Sequence, residues 1–440
     1  MQRGLNRVDR ATDLIGPADP GWAPSVRARL ERLIPQNRTG VRQILIRCVA
    51  VGGGLLAGLV AAEGLLRALG AAPTDGVTTV TEQEFRSVPG ILSPGQHVID
   101  RRDPRLPHRV STNSLGYRGK EVAARKAPGE LRILFTGDSF VYGDFVNDDQ
   151  TLPAQLEGRL NGRCADVRVV NAGLGDATIV DEAQLIDRGL RLSPDLVILL
   201  FGENDIADLN RPSTWDRLAT NRRAKSRFPL GTLYPLLRRT AVWNFALAVR
   251  ATWRARAQAR HTTGGSMLTA AGSADPVTHE LREAYRRALL AVRDTLARRG
   301  VPLVLVAYPS HMAVTHEAMR DQIAWVTRTA AAANVFEVNL LGPLAASGLP
   351  AETLYLLPYD GHPSPRGYEI AAAYLADQLL AAGPLAAACR ARGTGRRLED
   401  RVDEGRQRGS VREDEQRADD QHDQHDRQQP PLLPHPHEGP

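Results

Sequence analysis

Five short apolar runs punctuate the middle of the chain, at residues 131–136, 167–170, 196–201, 302–308 and 335–338. Each is too short for a stable helix and is bounded by turn-forming residues, so each predicts a buried strand. The stretches between them change period. Leu152, Leu156 and Leu160 recur at helical spacing within residues 151–160, residues 281–298 carry a second helical pattern, and residues 364–380, apolar-rich from Ile370 onward, predict a closing helix. Strands alternating with helices imply βαβ units and a parallel sheet covered on both faces. The expected architecture over residues 129–383 is an α/β fold, a three-layer α/β/α sandwich on a five-stranded parallel sheet.

A different pattern governs the N-terminus. No charged residue occurs from Cys48 to Ala62, and the wider window 44–69 admits only Arg47, Glu63 and Arg67. About 20 mostly apolar residues span a bilayer, and Arg47 can snorkel to the headgroups. Arg27, Arg29, Arg32, Arg38 and Arg42 form a basic flank upstream. The positive-inside rule then keeps residues 1–43 cytoplasmic, makes 44–69 a transmembrane signal anchor, and sends the rest outward. The expectation is a single-pass protein of the inner (cytoplasmic) membrane with an extracytoplasmic main domain. A cleaved signal peptide is the competing reading, opposed by the long leading region and the lack of an Ala-x-Ala site. A buried or interfacial glycine-rich helix is the third.

Three further segments stand apart. Residues 70–128 carry short strand-like runs at 77–80 and 108–119, expected to pack on the main domain. Residues 211–278 interrupt the strand spacing with an Arg-rich helical stretch, 243–260, containing Trp243, Phe245 and Trp253. That stretch reads as a lid, as a helix resting on an anionic membrane, or as the core face of a peripheral helix. From residue 384 to 440 apolar residues are sparse, and such composition is expected to stay disordered. The His/Asp run 419–426 reads as solvated tail rather than a metal site.

The formal charge of +6 comes almost wholly from arginine, with Lys120, Lys126 and Lys225 the only lysines. No nucleic-acid motif accompanies it, so no nucleic-acid partner is expected. Cys48, Cys164 and Cys389 are the only cysteines. Their positions suggest neither a disulfide framework nor a metal cluster, and no metal or cofactor is expected.

Chemistry concentrates in three turns. Gly137-Asp138-Ser139-Phe140 follows the first strand, Gly202-Glu203-Asn204-Asp205 follows the third, and Asp360-Gly361-His362-Pro363 precedes the closing helix. Taken singly, each is an ordinary turn or helix cap. Jointly they place Ser, His, Asp and an Asn amide beyond strand ends, where open α/β sheets bind ligands, and these are the parts for acyl transfer. His362 would take the Ser139 proton, and Asp360 would orient the imidazole. Asp138 and Asp205 read as turn and cap residues, Gly202 as part of its turn, and His311 as a candidate site wall.

On these motifs the chain resembles the SGNH or GDSL hydrolase family over residues 110–382. The resemblance implies that Ser139 is the nucleophile, with its N–H in an oxyanion hole. Asn204 would be a second donor, and a glycine of the block Asn171-Ala172-Gly173-Leu174-Gly175-Asp176 a third. The family glycine usually lies five positions after the Asn, where this chain has Asp176, so either Gly175 or Gly173 takes the role. The family's Asp-x-x-His is shortened here to Asp360-Gly361-His362. Two residues apart in an extended segment, the pair would still point to one side. The implied function is a serine esterase acting on O-acyl esters, O-acetyl first among them, with an acylated small molecule or a cell-envelope or exported polysaccharide as substrate. An O-acyltransferase using the same triad and a non-catalytic glycan-binding or assembly protein are the alternatives.

Overall fold

The structure, a computed structural model, describes residues 38–70, 76–161, 163–164, 166–227, 229, 233, 236–237, 239–247, 249–250, 253, 277–386 and 389. Its elements in chain order are helices α1 (Arg38–Ala68) and α2 (Glu82–Ser87), strands β1 (His97–Asp100), β2 (His108–Ser111) and β3 (Leu131–Gly137), helices α3 (Ser139–Tyr142) and α4 (Leu152–Asn161), strand β4 (Val167–Gly173), helix α5 (Ile179–Gly189), strand β5 (Leu196–Phe201), helices α6 (Asp205–Asp208), α7 (Thr214–Lys225) and α8 (His279–Ala297), strand β6 (Leu303–Ala307), helices α9 (His311–Thr315) and α10 (Asp321–Ala332), strand β7 (Phe336–Asn339), and helices α11 (Leu341–Ala346), α12 (Ala351–Leu354) and α13 (Pro365–Ala381).

The chain divides into residues 1–70 and 71–440. In the first unit, α1 carries a stretch of 27 residues, Arg42–Ala68, long and apolar enough to cross a membrane. At about 1.5 Å per residue it exceeds the roughly 30 Å hydrocarbon core. Its large side chains, Ile44, Leu55 and Val60 among them, are exposed.

In the second unit, β3 to β7 form a five-stranded parallel sheet in the order β4-β3-β5-β6-β7. Alternation along each strand feeds two cores. Ile133, Phe135, Ile198, Leu200, Val304 and Val306 point to one face, beneath Leu152, Leu156 and Leu160 of α4 and Leu375 and Leu379 of α13. Leu134, Val197, Leu199, Phe201, Leu303 and Leu305 point to the other, beneath Ile186 of α5, Leu289 and Val292 of α8 and Ile323 and Val326 of α10. This is the expected three-layer sandwich. After β4 the chain crosses back past β3 to start β5, so the strand order reverses between β3 and β5. That reversal opens the crevice in which such sheets bind ligands.

Two boundaries differ from the sequence expectation by more than two residues. β4 runs on to Gly173, its Asn171, Ala172 and Gly173 pairing with Phe135, Thr136 and Gly137. A polar residue and two small ones disguise those positions as loop. The segment expected to be disordered from 384 is structured at its start, where Leu385 is 2% exposed and Cys389 is disulfide-bonded to Cys164, 225 residues earlier; residues 390–440 lie outside the described residues. The cysteine spacing did not suggest this bond, since only the fold brings the end of α4 beside the segment after α13.

Residues 76–128 pack on the sandwich through short strands and helix α2. β1 and β2 pair antiparallel, and isolated bridges join Thr79 to Leu92, Thr112 to Arg118, and Arg118 to Asn171 of β4. Arg188 of α5 donates to the carbonyls of Phe85, Val88, Pro89 and Gly90. In the insertion, Asp181 of α5 accepts from Ser213 Oγ and from the N–H groups of Thr214 and Trp215 at the start of α7. Residues 241–247 are helical. Phe245 is 40% and Trp253 73% exposed, so the core-face reading fails for these two rings. Residues 248, 251–252 and 254–260 of that stretch, the basic flank before residue 38 and the His/Asp run lie outside the described residues.

Candidate active site

β3 delivers the first component. Gly137 ends the strand, and a Cβ there would meet Val141 Cγ2 at 2.5 Å and Leu200 Cβ at 3.0 Å. The missing side chain lets the backbone turn directly into α3. Asp138 caps that helix by accepting from the Phe140 N–H at 2.8 Å. Ser139 is then the first helical residue, at the end of a buried strand.

The loop before α13 supplies the partner. His362 Nε2 lies 2.7 Å from Ser139 Oγ, and His362 Nδ1 is hydrogen-bonded to Asp360 Oδ1. The same oxygen accepts from the His362 backbone N–H at 2.8 Å. The short Asp-x-His spacing therefore works through an Asx-type turn, in which the carboxylate binds the backbone two residues on, and not through the extended segment expected from sequence. The loop is tied down where the Leu356 N–H donates to the His362 carbonyl and Tyr355 bridges Pro363.

Electrostatics favour this arrangement. Burial works against the imidazolium of His362, but the Asp360 hydrogen bond and the negative charges of Asp144, Asp360 and Asp138 outweigh it and raise its pKa above the ordinary 6.5. Burial pushes the Asp360 carboxyl upward, but the hydrogen bonds and charge of His362 carry it below its usual value. A neutral His362 can accept the Ser139 proton, and Asp360 stabilises the cation that results. The rings of Phe140 and Phe145 flank His362 at 5.4 and 5.5 Å between centroids.

β5 brings the third component. Gly202 ends in a tight turn in which a Cβ would lie 2.9 Å from Asn204 Oδ1 and 3.2 Å from Asp138 Oδ2. Asp205 closes that turn by accepting the Gly202 N–H at 2.9 Å. Asn204 donates one amide hydrogen to Asp208 at 3.0 Å, and its side chain is also hydrogen-bonded to Asp138. The two candidate glycines part company. The Gly173 N–H donates to Asn171 Oδ1 at 3.0 Å, and a Cβ at Gly173 would come within 2.1 Å of the Tyr142 nitrogen. Gly173 thus serves the close approach of α3 to β4. Gly175 is half-buried and a Cβ there would have no neighbour closer than 3.9 Å. His311, at the start of α9, has its ring 5.8 Å from Tyr355 and is bonded to none of the three components.

Behind the turns lies a group of buried acids, of which only Asp138 and Asp205 stood out in the sequence. Burial pushes the Asp138 carboxyl up to about 6, against the hydrogen bonds it receives from Phe140 and Asn204. Glu182 of α5 is fully buried, and neither of its oxygens has a hydrogen-bond partner. Burial, with Asp138 and Asp181 nearby, holds it well above the usual carboxylate range. Burial and the neighbouring Glu182 and Asp138 do the same to Asp205. Glu203, in the turn itself, is pushed up to about 7 by burial, opposed by its hydrogen bonds to Ser310. Only its place beside Asn204 could have flagged Glu203, and nothing in the local sequence flags Glu182.

Among the described residues, no group of His, Cys, Asp and Glu has the arrangement of a metal site. Among curated proteins, none matches the chain. Solved structures similar to it include a lipase/acylhydrolase from Enterococcus faecalis, at 15% identity over 57% of this chain and 95% of that one with a TM-score of 0.34. Another is an acetylxylan esterase from Geobacillus stearothermophilus, at 16% identity over 56% and 92% with a TM-score of 0.33. Likenesses this distant decide nothing about substrate. The model of the GDSL-like lipase/acylhydrolase family matches residues 135–370. That span is more than half the chain and contains Ser139, Asn204 and His362 in their turns, so this protein belongs to the GDSL-like lipase/acylhydrolase family and is an SGNH-type hydrolase.

Proposed function

We propose that the protein is a serine esterase that removes O-acyl groups, O-acetyl first among them, from cell-envelope or exported carbohydrate through an acyl-enzyme on Ser139. The observation that carries this reading is the unbroken line from Ser139 Oγ through the His362 imidazole to Asp360. Ser139 attacks the acyl carbonyl as His362 takes its proton. The negative charge that develops on the carbonyl oxygen meets the N–H of Ser139, the N–H of Gly175 and the side-chain amide of Asn204. His362 then returns its proton to the leaving alcohol, and water repeats the sequence to release the acid. One such donor typically contributes about 2.7–4 kcal/mol of barrier lowering.

The carbohydrate and compartment rest on topology. The apolar helix α1 follows an Arg-rich flank, which favours an outward main domain. The Cys164–Cys389 disulfide belongs to an oxidising compartment. The test is hydrolysis of p-nitrophenyl acetate and longer p-nitrophenyl esters by the full-length protein in detergent, beside Ser139→Ala. Activity that falls with acyl length and disappears in the variant is expected. A wild type no faster than the variant would sink the esterase reading.

A further inference from the structure

The turn that follows the nucleophile, residues 142–148, is held by arginines that come from outside the sandwich. Arg118, whose side chain is fully buried, reaches in from the 70–128 segment. Its Nη1 donates to the carbonyls of Tyr142 and Gly143 at 2.9 and 2.6 Å. Its Nη2 donates to the Val146 carbonyl at 2.6 Å, and its Nε to Asp148 Oδ1 at 2.8 Å. A single guanidinium thus ties both ends of the turn.

Arg102, just after β1, holds the middle. It binds Asp100 through Nε at 2.8 Å and Asp144 through Nη2 at 2.5 Å. Its guanidinium sits 5.7 Å from the centre of the Phe145 ring, and His108 of β2 meets that ring edge-on at 5.8 Å. Phe145 has φ of 65°, left-handed backbone that a bulky side chain adopts only when its surroundings impose it. In that conformation its ring packs against His362 at 5.5 Å.

We propose that the 70–128 segment is a working part of the active site: Arg118 and Arg102 fix the 142–148 turn so that Phe145 holds the His362 ring in line with Ser139. This inference rests on the reading of Ser139, His362 and Asp360 given above. None of the three new residues touches the reacting atoms, so all are positioning residues. The arrangement also sets the charge around the imidazole. His362 is faced by Asp360 on its own loop and by Asp138 and Asp144 from the nucleophile turn. Asp360 in turn feels Asp103, and Arg105 feels Asp360, from the β1–β2 connection. Arg102 neutralises Asp144. Without Arg102, the Asp144 charge acts in full on the imidazolium and favours it, so His362 must lose its proton at a higher pH.

The test uses the full-length protein in detergent and follows labelling of Ser139 by a fluorophosphonate probe against pH, which requires an activated serine but no knowledge of the substrate. Arg102→Ala and Arg102→Gln are compared with Arg101→Ala, an exposed neighbour on the same connection. The maximal labelling rate in both Arg102 variants is expected to fall about tenfold or more. Their acid limbs should move up by about half a pH unit or more, with Arg101→Ala unchanged. The glutamine variant keeps a hydrogen-bonding arm to Asp144, so it answers the question if the alanine variant does not fold. Wild-type labelling with Arg102 variants that match it in rate and acid limb would overturn the proposal while leaving the esterase reading intact. A wild type that is not labelled at any pH would overturn both, since there would be no activated serine to serve.

Discussion

At the scale of single residues, each side chain at the site has a separable task. Ser139→Ala removes the nucleophile and is expected to lower kcat by about 10⁴-fold or more, leaving only what binding and the oxyanion donors provide. Asn204→Ala leaves the Ser139–His362–Asp360 line whole and should lower kcat by about 10²–10³-fold with KM little changed, because the amide acts on charge present only in the transition state. Steady-state kinetics on p-nitrophenyl acetate checks both. The pH profile follows from His362. Only the neutral ring accepts a proton, and its pKa lies above the ordinary 6.5. Activity is therefore expected to climb as pH rises through a midpoint above 6.5, and a midpoint below that value would contradict the assignment. The grouping of Ser139, Asn204 and His362 in turns at one end of the sheet was legible in the sequence, because chemistry restricts which residues can do the proposed jobs. The preference for Gly175 over Gly173 proposed above was not, since it depends on where the Gly173 N–H already donates.

At the scale of elements, the strands were the most legible feature. A parallel strand buried on both faces reads as an unbroken apolar run, and β5 shows this with every residue buried. β4 was read short because Asn171 is polar, yet it is buried and occupied with the Gly173 N–H. Helix α5 carries the least legible residue, Glu182, whose burial shows only once the helix is laid on the sheet. Its pKa is raised in the fold, so the folded state holds the proton more tightly than the unfolded chain. Stability from this group is therefore present at low pH and lost as pH rises above the ordinary carboxylate range. Glu182→Gln keeps the shape and abolishes the ionisation. The variant should gain in melting temperature over wild type as pH is raised from 6 toward 9. An equal difference at both ends of that range would count against a proton held on Glu182.

At the scale of the whole molecule, a helix long and apolar enough to cross a membrane precedes a sandwich whose end is stapled by Cys164–Cys389. The bond closes a loop of 225 residues, and such cross-links typically contribute about 2–4 kcal/mol by restricting the unfolded chain. Cys389→Ser should lower the melting temperature accordingly. In the untreated protein only Cys48 should react with a maleimide before reduction. The bond was invisible in the sequence because the two cysteines lie far apart in the chain and have no partner motif. The central claim is chemical, and it is tested most directly by rapid mixing of the full-length protein with p-nitrophenyl acetate followed by acid quench and peptide mass mapping. A transient acetyl group is expected on the peptide containing Ser139, absent when His362 is replaced by Ala. Turnover with the acetyl group on another residue, or with none trapped at any time while Ser139→Ala remains active, would contradict it.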